Sequence, residues 1–251
     1  MRARAKASVQ EKTLQRLLVS DIDNTLTGDD AALAELMAVL KDNQALGFAV
    51  ASGRSYELIR DAIVEFGLLE PDLTISSVGS EINGNDDIGE RYRDHISPGW
   101  DREKVVETLG GVAGLTLQGE QGQKPFKVSF DTAGEVMPEV RGIVNEAGLN
   151  VTLIPSHNEF LDVLPERASK GKAVRFVAEA YGMSLDNIVV AGDSGNDDEM
   201  LTCGARAVMV GNYSEELAHL VDNPAVYVSK AKYAAGVLEG LQHYGVIESK
   251  K

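Results

Sequence analysis

The chain holds one cysteine, Cys203, among 251 residues. It can form no internal disulfide and no cysteine-built zinc cluster, and a reducing cytoplasm suits it. Positive charge is also scarce: 24 Lys and Arg stand against 39 Asp and Glu, for a formal net charge of -15. A surface of that sign repels a polyanion, which argues against nucleic acid as a partner. No uninterrupted apolar run approaches the ~18–20 residues that cross a bilayer, so no membrane partner is expected. The seven prolines sit in no low-complexity tract, and the composition is otherwise that of a globular protein. The basic opening, Met1 to Lys6, lacks the apolar segment and cleavage site of a signal peptide and reads as a tail.

What is present is enough chain for a core carrying a smaller inserted unit. Residues 17–23 form an apolar run ending in carboxylates, which predicts a buried parallel strand. Leu33, Leu36, Met37, Leu40 and Leu46 fall at helical spacing within 30–46, with Gly47 as the stop. There follow a strand over 48–51, a helix capped by Ser55 with Leu58, Ile59, Ala62, Ile63 and Phe66 on its apolar face, and a strand over 73–78. The rhythm resumes with a helix over 169–182, strands over 187–191, 205–210 and 226–228, and a helix over 234–244. Strands alternating with helices predict a Rossmann-like α/β core, a parallel sheet covered on both faces. Between 83 and 165 the pattern changes. A turn-rich stretch from Asn83 to Asp87 opens it, with helices over 100–109 and 136–147 and strands over 115–117, 127–130, 151–154 and 160–164. This is an inserted α+β domain, and Pro165 marks the return. The expected division is a core of residues 1–82 and 166–251 and an insert of residues 83–165.

Four polar clusters fall at strand ends or at the start of the next helix, the rim where open parallel sheets bind ligands. The first is Asp21-Ile22-Asp23-Asn24-Thr25. Paired carboxylates at the end of an apolar strand are costly unless a cation compensates them. They suit Asp21 as a nucleophile and Asp23 as general acid and base, with Thr25 fixing the loop; a solvated Asx turn is the competing reading. The second is Ala51-Ser52-Gly53-Arg54-Ser55. Ser52 can donate to a phosphate oxygen, Gly53 lets the backbone approach, and helix-opening N–H groups favour an anion; a plain N-cap is the alternative. In the third, Ser169-Lys170-Gly171-Lys172, Lys170 sits where a helix dipole favours anions, as a lysine serving phosphate would; an ordinary surface lysine is the competing reading and the preferred one for Lys172, and the choice of Lys170 rests partly on family resemblance. The fourth, Gly192-Asp193-Ser194-Gly195-Asn196-Asp197-Asp198-Glu199, supplies hard oxygen ligands that suit Mg²⁺ without the spacing of a calcium loop. Asp193 follows an apolar strand directly, whereas Asn196 and Asp197 read equally as helix caps.

In this order the clusters resemble the haloacid dehalogenase superfamily, whose phosphatases carry Asp-x-Asp-x-Thr, a Ser or Thr after the second strand, a later Lys, and Gly-Asp-x-x-x-Asp. Dehalogenases of that superfamily lack the second aspartate, so Asp23 points to phosphoryl transfer. Val78-Gly79-Ser80-Glu81-Ile82, Pro125-Phe126-Lys127-Val128-Ser129, Phe160-Leu161-Asp162-Val163-Leu164-Pro165 and Ala168-Ser169-Lys170-Gly171 are similar to sucrose-phosphate and mannosylfructose-phosphate phosphatases. The resemblance implies Mg²⁺-dependent hydrolysis of a disaccharide phosphate through an aspartyl-phosphate on Asp21. It implies Asp21, Asp23 and Lys170 as catalytic residues, and Mg²⁺ held by Asp21, the Asp23 carbonyl and Asp193, with Asp197 or Asn196 ordering the loop. Phosphate oxygens would meet Ser52, Gly53 and Lys170, with Thr25 and Asn196 beside them. An α/β cap closing over a sugar makes Glu81, Lys127, Asn158 and Glu159 candidate sugar contacts; Lys127 reads equally as a solvated strand residue, and His157 as a loop histidine. Residues 156–159, Ser-His-Asn-Glu, depart from the sucrose enzymes' pattern, which leaves the sugar open. The alternatives are a broad sugar-phosphate phosphatase, a phosphomutase, or an inactive subunit partnering a sugar-phosphate synthase, the last opposed by intact Asp21, Asp23, Lys170 and Asp193.

Overall fold

A computed structural model describes residues 15–133 and 135–248, and the basic opening stretch lies outside them. The first run of elements is β1 (Arg16–Ser20), α1 (Asp30–Asp42), β2 (Leu46–Ala51), α2 (Tyr56–Phe66), β3 (Leu73–Ser76), β4 (Glu81–Asn83) and α3 (Asp86–Ile96). The middle run is α4 (Arg102–Leu109), β5 (Leu115–Leu117), β6 (Val128–Thr132), α5 (Met137–Glu146), β7 (Val151–Ser156) and β8 (Phe160–Pro165). The last is α6 (Lys170–Ala180), β9 (Ile188–Gly192), α7 (Asp198–Leu201), β10 (Arg206–Met209), β11 (Val226–Val228) and α8 (Tyr233–His243).

Seven strands form one sheet in the order β11-β10-β9-β1-β2-β3-β4, parallel except for β4 at its edge. The inner strands are apolar on both faces because helices cover both, and the alternating residues of β1 divide between two clusters. Leu17 and Val19 pack with α3 and α6 on one side; Leu18 packs with α1, α2 and α8 on the other. The second sheet, β5-β6-β8-β7, is antiparallel and has its own core, where Phe130, Leu161 and Val163 meet Val105, Leu109, Val140 and Val144 of α4 and α5. The α/β class and the α+β insert therefore stand as expected.

Several boundaries differ, each for a local reason. Helix α1 stops at Asp42 because Leu46 already pairs with Arg16 in the sheet. Strand β3 stops at Ser76, since Ser77 and Val78 take φ of 52° and 60°, incompatible with an extended chain. Strand β4 and helix α3 were not expected. The Asn85-Asp86-Asp87 run that reads as a turn is a helix start: Asn85 accepts the Ile88 N–H, and two carboxylates occupy the first turn. Ile88, Tyr92 and Ile96, four residues apart, are buried in the large sheet's cluster. Residues 86–96, expected to open the insert, thus pack on the large sheet, and the smaller sheet's own core begins at Val105.

Candidate active site

β1 ends at Ser20, which places Asp21 at the sheet's rim beside the ends of its neighbours β2 and β9. Lys170 opens α6 because Ser169 caps that helix through the Lys172 N–H. Gly79 lets it come close: at φ 90° it lies so near the start of α6 that a Cβ would stand 2.4 Å from the Lys170 nitrogen. Lys170 is fully buried, and its three N–H bonds go to Asp21 Oδ1 at 2.8 Å, Asn196 Oδ1 at 2.5 Å and Asp197 Oδ1 at 2.7 Å. Asp197 Oδ2 accepts the backbone N–H groups of Asp193 and Ser194, which sets the fourth loop. Thr25 donates to Asp193 Oδ1 at 2.8 Å and ties the first loop to the fourth. Among the described residues, Asp21 Oδ2 and Asp193 Oδ2 accept no hydrogen bond.

Asp21, Asp193 and Asp197 bring carboxylate oxygens within 4.8 Å of one another, and all three are buried. Burial pushes the Asp21 pKa well above the usual carboxylate range; Lys170 opposes the rise, and Asp197 and Asp193 add to it. Burial likewise pushes Asp193 up to about 7, helped by Asp197 and opposed by the Thr25 hydrogen bond and Lys170. For Lys170 burial acts downward, but Asp197 and Asp21 outweigh it and hold the ammonium charged. Ionised together, three buried carboxylates facing one ammonium would carry excess negative charge. A hard divalent cation fits this oxygen set, through the free oxygens of Asp21 and Asp193.

Asp21, Asp23, Asn24, Gly53, Arg54, His157, Ser194 and Asn196 line a cavity of about 290 Å³ over this cluster. Ser52 is buried at the end of β2, its hydroxyl accepting the Arg54 N–H. Gly53 faces Asn196, whose Nδ2 would be 3.8 Å from a Cβ at that position. The Asp23 side chain stands outside the carboxylate cluster, held by Arg54.

The four expected sugar contacts are absent from this cavity. Glu81 accepts hydroxyl hydrogen bonds from Ser76 and Ser77 and lines a separate cavity of about 410 Å³ with Tyr92 and Phe126. Lys127 is buried and paired with Asp162 at 3.1 Å, so it is no solvated strand residue. Asn158 and Glu159 are exposed in the β7–β8 turn, where Asn158 N–H reaches Glu216 Oε1 at 3.4 Å. His157 is the residue of the smaller sheet that lines this cavity, carried in by a hairpin turn with φ of 56° and 53° at 157 and 158. Nothing local in sequence marks His157 or Glu216, because each meets its neighbours only where the β7–β8 turn approaches the loops at the large sheet's rim. Arg54 was in view inside the second cluster, but its partner lies 31 residues away.

Residues 14–245 match the family described as sucrose-6F-phosphate phosphohydrolase. Sucrose-phosphatase 2 of Nicotiana tabacum is 35% identical over 90% of this chain, which spans 58% of that protein's length. Mannosylfructose-phosphate phosphatase of Agrobacterium fabrum is 31% identical over 92% of this chain and 97% of its own. The X-ray structure of the sucrose-phosphatase from Synechocystis sp. PCC6803, in complex with sucrose and phosphate, superposes with a TM-score of 0.88 at 33% identity, covering 92% of this chain and 98% of that one. A haloacid dehalogenase-like hydrolase protein from Bacillus subtilis shares the fold, with a TM-score of 0.65 at 20% identity and 92% coverage of each chain. With its motifs gathered at one rim and its similarity running through both sheets, the chain belongs to the sucrose-6F-phosphate phosphohydrolase family.

Proposed function

We propose that the protein hydrolyses a disaccharide phosphate, with sucrose-6-phosphate and mannosylfructose-phosphate as the leading substrates, in a Mg²⁺-dependent reaction through an aspartyl-phosphate on Asp21. The observation that carries this reading is the buried Asp21–Lys170–Asp197 chain of hydrogen bonds, with Asp193 close beside it and Asp21 lining an open cavity. Asp21 and Asp193 would hold Mg²⁺, with the Asp23 carbonyl; when bound, the ion neutralises the carboxylate cluster and the charge on the phosphoryl oxygens.

Lys170 fixes Asp21 in place, so the nucleophile meets phosphorus without reorganisation. The Asp21 oxygen forms a bond to phosphorus as the ester bond to the sugar oxygen breaks, and Asp23 supplies the proton that oxygen needs. Asp23 then takes a proton from water as the water attacks the aspartyl-phosphate and releases phosphate. Gly53 N–H and the Asn196 amide, which line the cavity, would hold phosphoryl oxygens, with Ser52 buried beside them. The smaller sheet acts as a cap, its β7–β8 turn forming one wall of the cavity through His157. A reducing cytoplasm suits the lone buried Cys203.

Phosphate release from sucrose-6-phosphate, mannosylfructose-phosphate and hexose phosphates, with and without magnesium, tests the reading. Fastest release from a disaccharide ester is expected. Uniform rates across the hexose phosphates would instead make it a broad phosphatase.

A further inference from the structure

Arg54 holds both oxygens of Asp23: Nε donates to Oδ2 at 2.8 Å and Nη2 to Oδ1 at 2.7 Å. The two side chains are 29% and 46% exposed, and an ion pair so open to water adds little to stability. What a two-pronged guanidinium does fix is the plane of the carboxylate. The guanidinium is itself fixed. The Arg54 N–H donates to Ser52 Oγ at 3.2 Å, its carbonyl accepts the Ser77 N–H at 2.8 Å, and its charged head lies 5.9 Å from the Phe66 ring centroid. Arg54, Asp21 and Asp23 line one cavity, yet Asp23 takes no part in the close cluster of Asp21, Asp193 and Asp197 only two residues away.

We propose that Arg54 is a positioning residue that keeps the Asp23 carboxylate out of the carboxylate cluster and aimed at the oxygen leaving phosphorus. An ionised carboxylate has about four lone-pair sites, so about two stay open to the cavity after Arg54 has bound. Lysine cannot substitute, since a point charge sets no plane. This role rests on the reading of Asp23 as general acid and base.

The test uses the full chain with magnesium chloride and two esters: the disaccharide phosphate that the wild type hydrolyses fastest, and p-nitrophenyl phosphate, whose phenolate leaves without a proton. Arg54→Met is expected to lower kcat for the sugar ester on the order of 100-fold, with KM little changed. The burst of p-nitrophenolate that reports phosphorylation of Asp21 should be nearly unaffected. Arg54→Lys, which keeps charge and fold, should remain impaired, and guanidinium chloride at non-denaturing concentration should restore part of the Arg54→Met loss. In an Asp23→Asn background, Arg54→Met should add no further loss. A raised KM in place of a lowered kcat, a p-nitrophenolate burst lost as fully as turnover of the sugar ester, or an additive loss in the Asp23→Asn background would overturn the role of Arg54 and leave that of Asp23 standing. Full turnover by Asp23→Asn would overturn both.

Discussion

Lys170 uses all three of its N–H bonds on Asp21, Asn196 and Asp197, and it has no contact with water. Lys170→Met leaves buried carboxylates without their counter-charge, so it should abolish phosphate release. It should also destabilise the metal-free protein by ~3–5 kcal/mol, the range for breaking a buried ion pair, read by urea denaturation. Asp193 carries a second residue-scale consequence. Its folded pKa of about 7 lies above the unfolded value of ~3.9, so the metal-free folded protein holds a proton that the unfolded chain releases between those values. Stability therefore falls as pH rises through that window. A divalent cation removes the penalty, and magnesium should raise the thermal midpoint more at pH 7.5 than at pH 5.5. Equal gains at the two values would count against Asp193 as a ligand.

At the scale of elements, the turn at Gly79 sets where α6 begins. Gly79→Ala would force a Cβ to within 2.2 Å of the Ser169 carbonyl carbon at a φ that side chains rarely adopt. A loss of ~2 kcal/mol or more is expected, with turnover falling further than stability because Lys170 is displaced. The β7–β8 turn is held differently: Glu216 accepts Asn158 N–H with one oxygen and Gly195 N–H with the other, joining the hairpin to the loop after β9. Glu216→Ala should raise amide hydrogen exchange at Asn158 and Gly195 together. Helices and strands with strong apolar periodicity were legible in the sequence, because burial on one or both faces repeats every few residues. Strand β4 and helix α3 were not. The first is three residues long, and the second starts in Asx residues that serve turns and N-caps alike. In the site, Asp21 and Asp193 stood out as carboxylates at the ends of apolar strands, Lys170 was singled out partly through the resemblance and Asn196 read equally as a helix cap, whereas Arg54, His157 and Glu216 act through partners on distant segments.

Across the whole molecule, a net charge of -15 would face the proposed anionic substrate; Arg54, which lines the cavity, and Lys170, buried against Asp21, are both paired with carboxylates. Long-range repulsion should slow capture at low salt, so kcat/KM for the sugar ester should rise with added sodium chloride up to about 0.15 M, where the Debye length is ~8 Å. No helix among the described residues is long and apolar enough to cross a membrane. The central claim is that Asp21 takes the phosphoryl group in a magnesium-dependent step. The most direct measurement is phosphate release from sucrose-6-phosphate and mannosylfructose-phosphate by the wild type and Asp21→Asn, each with and without magnesium. Release by the wild type with magnesium alone is the predicted result; turnover by Asp21→Asn, or release independent of the metal, would contradict it.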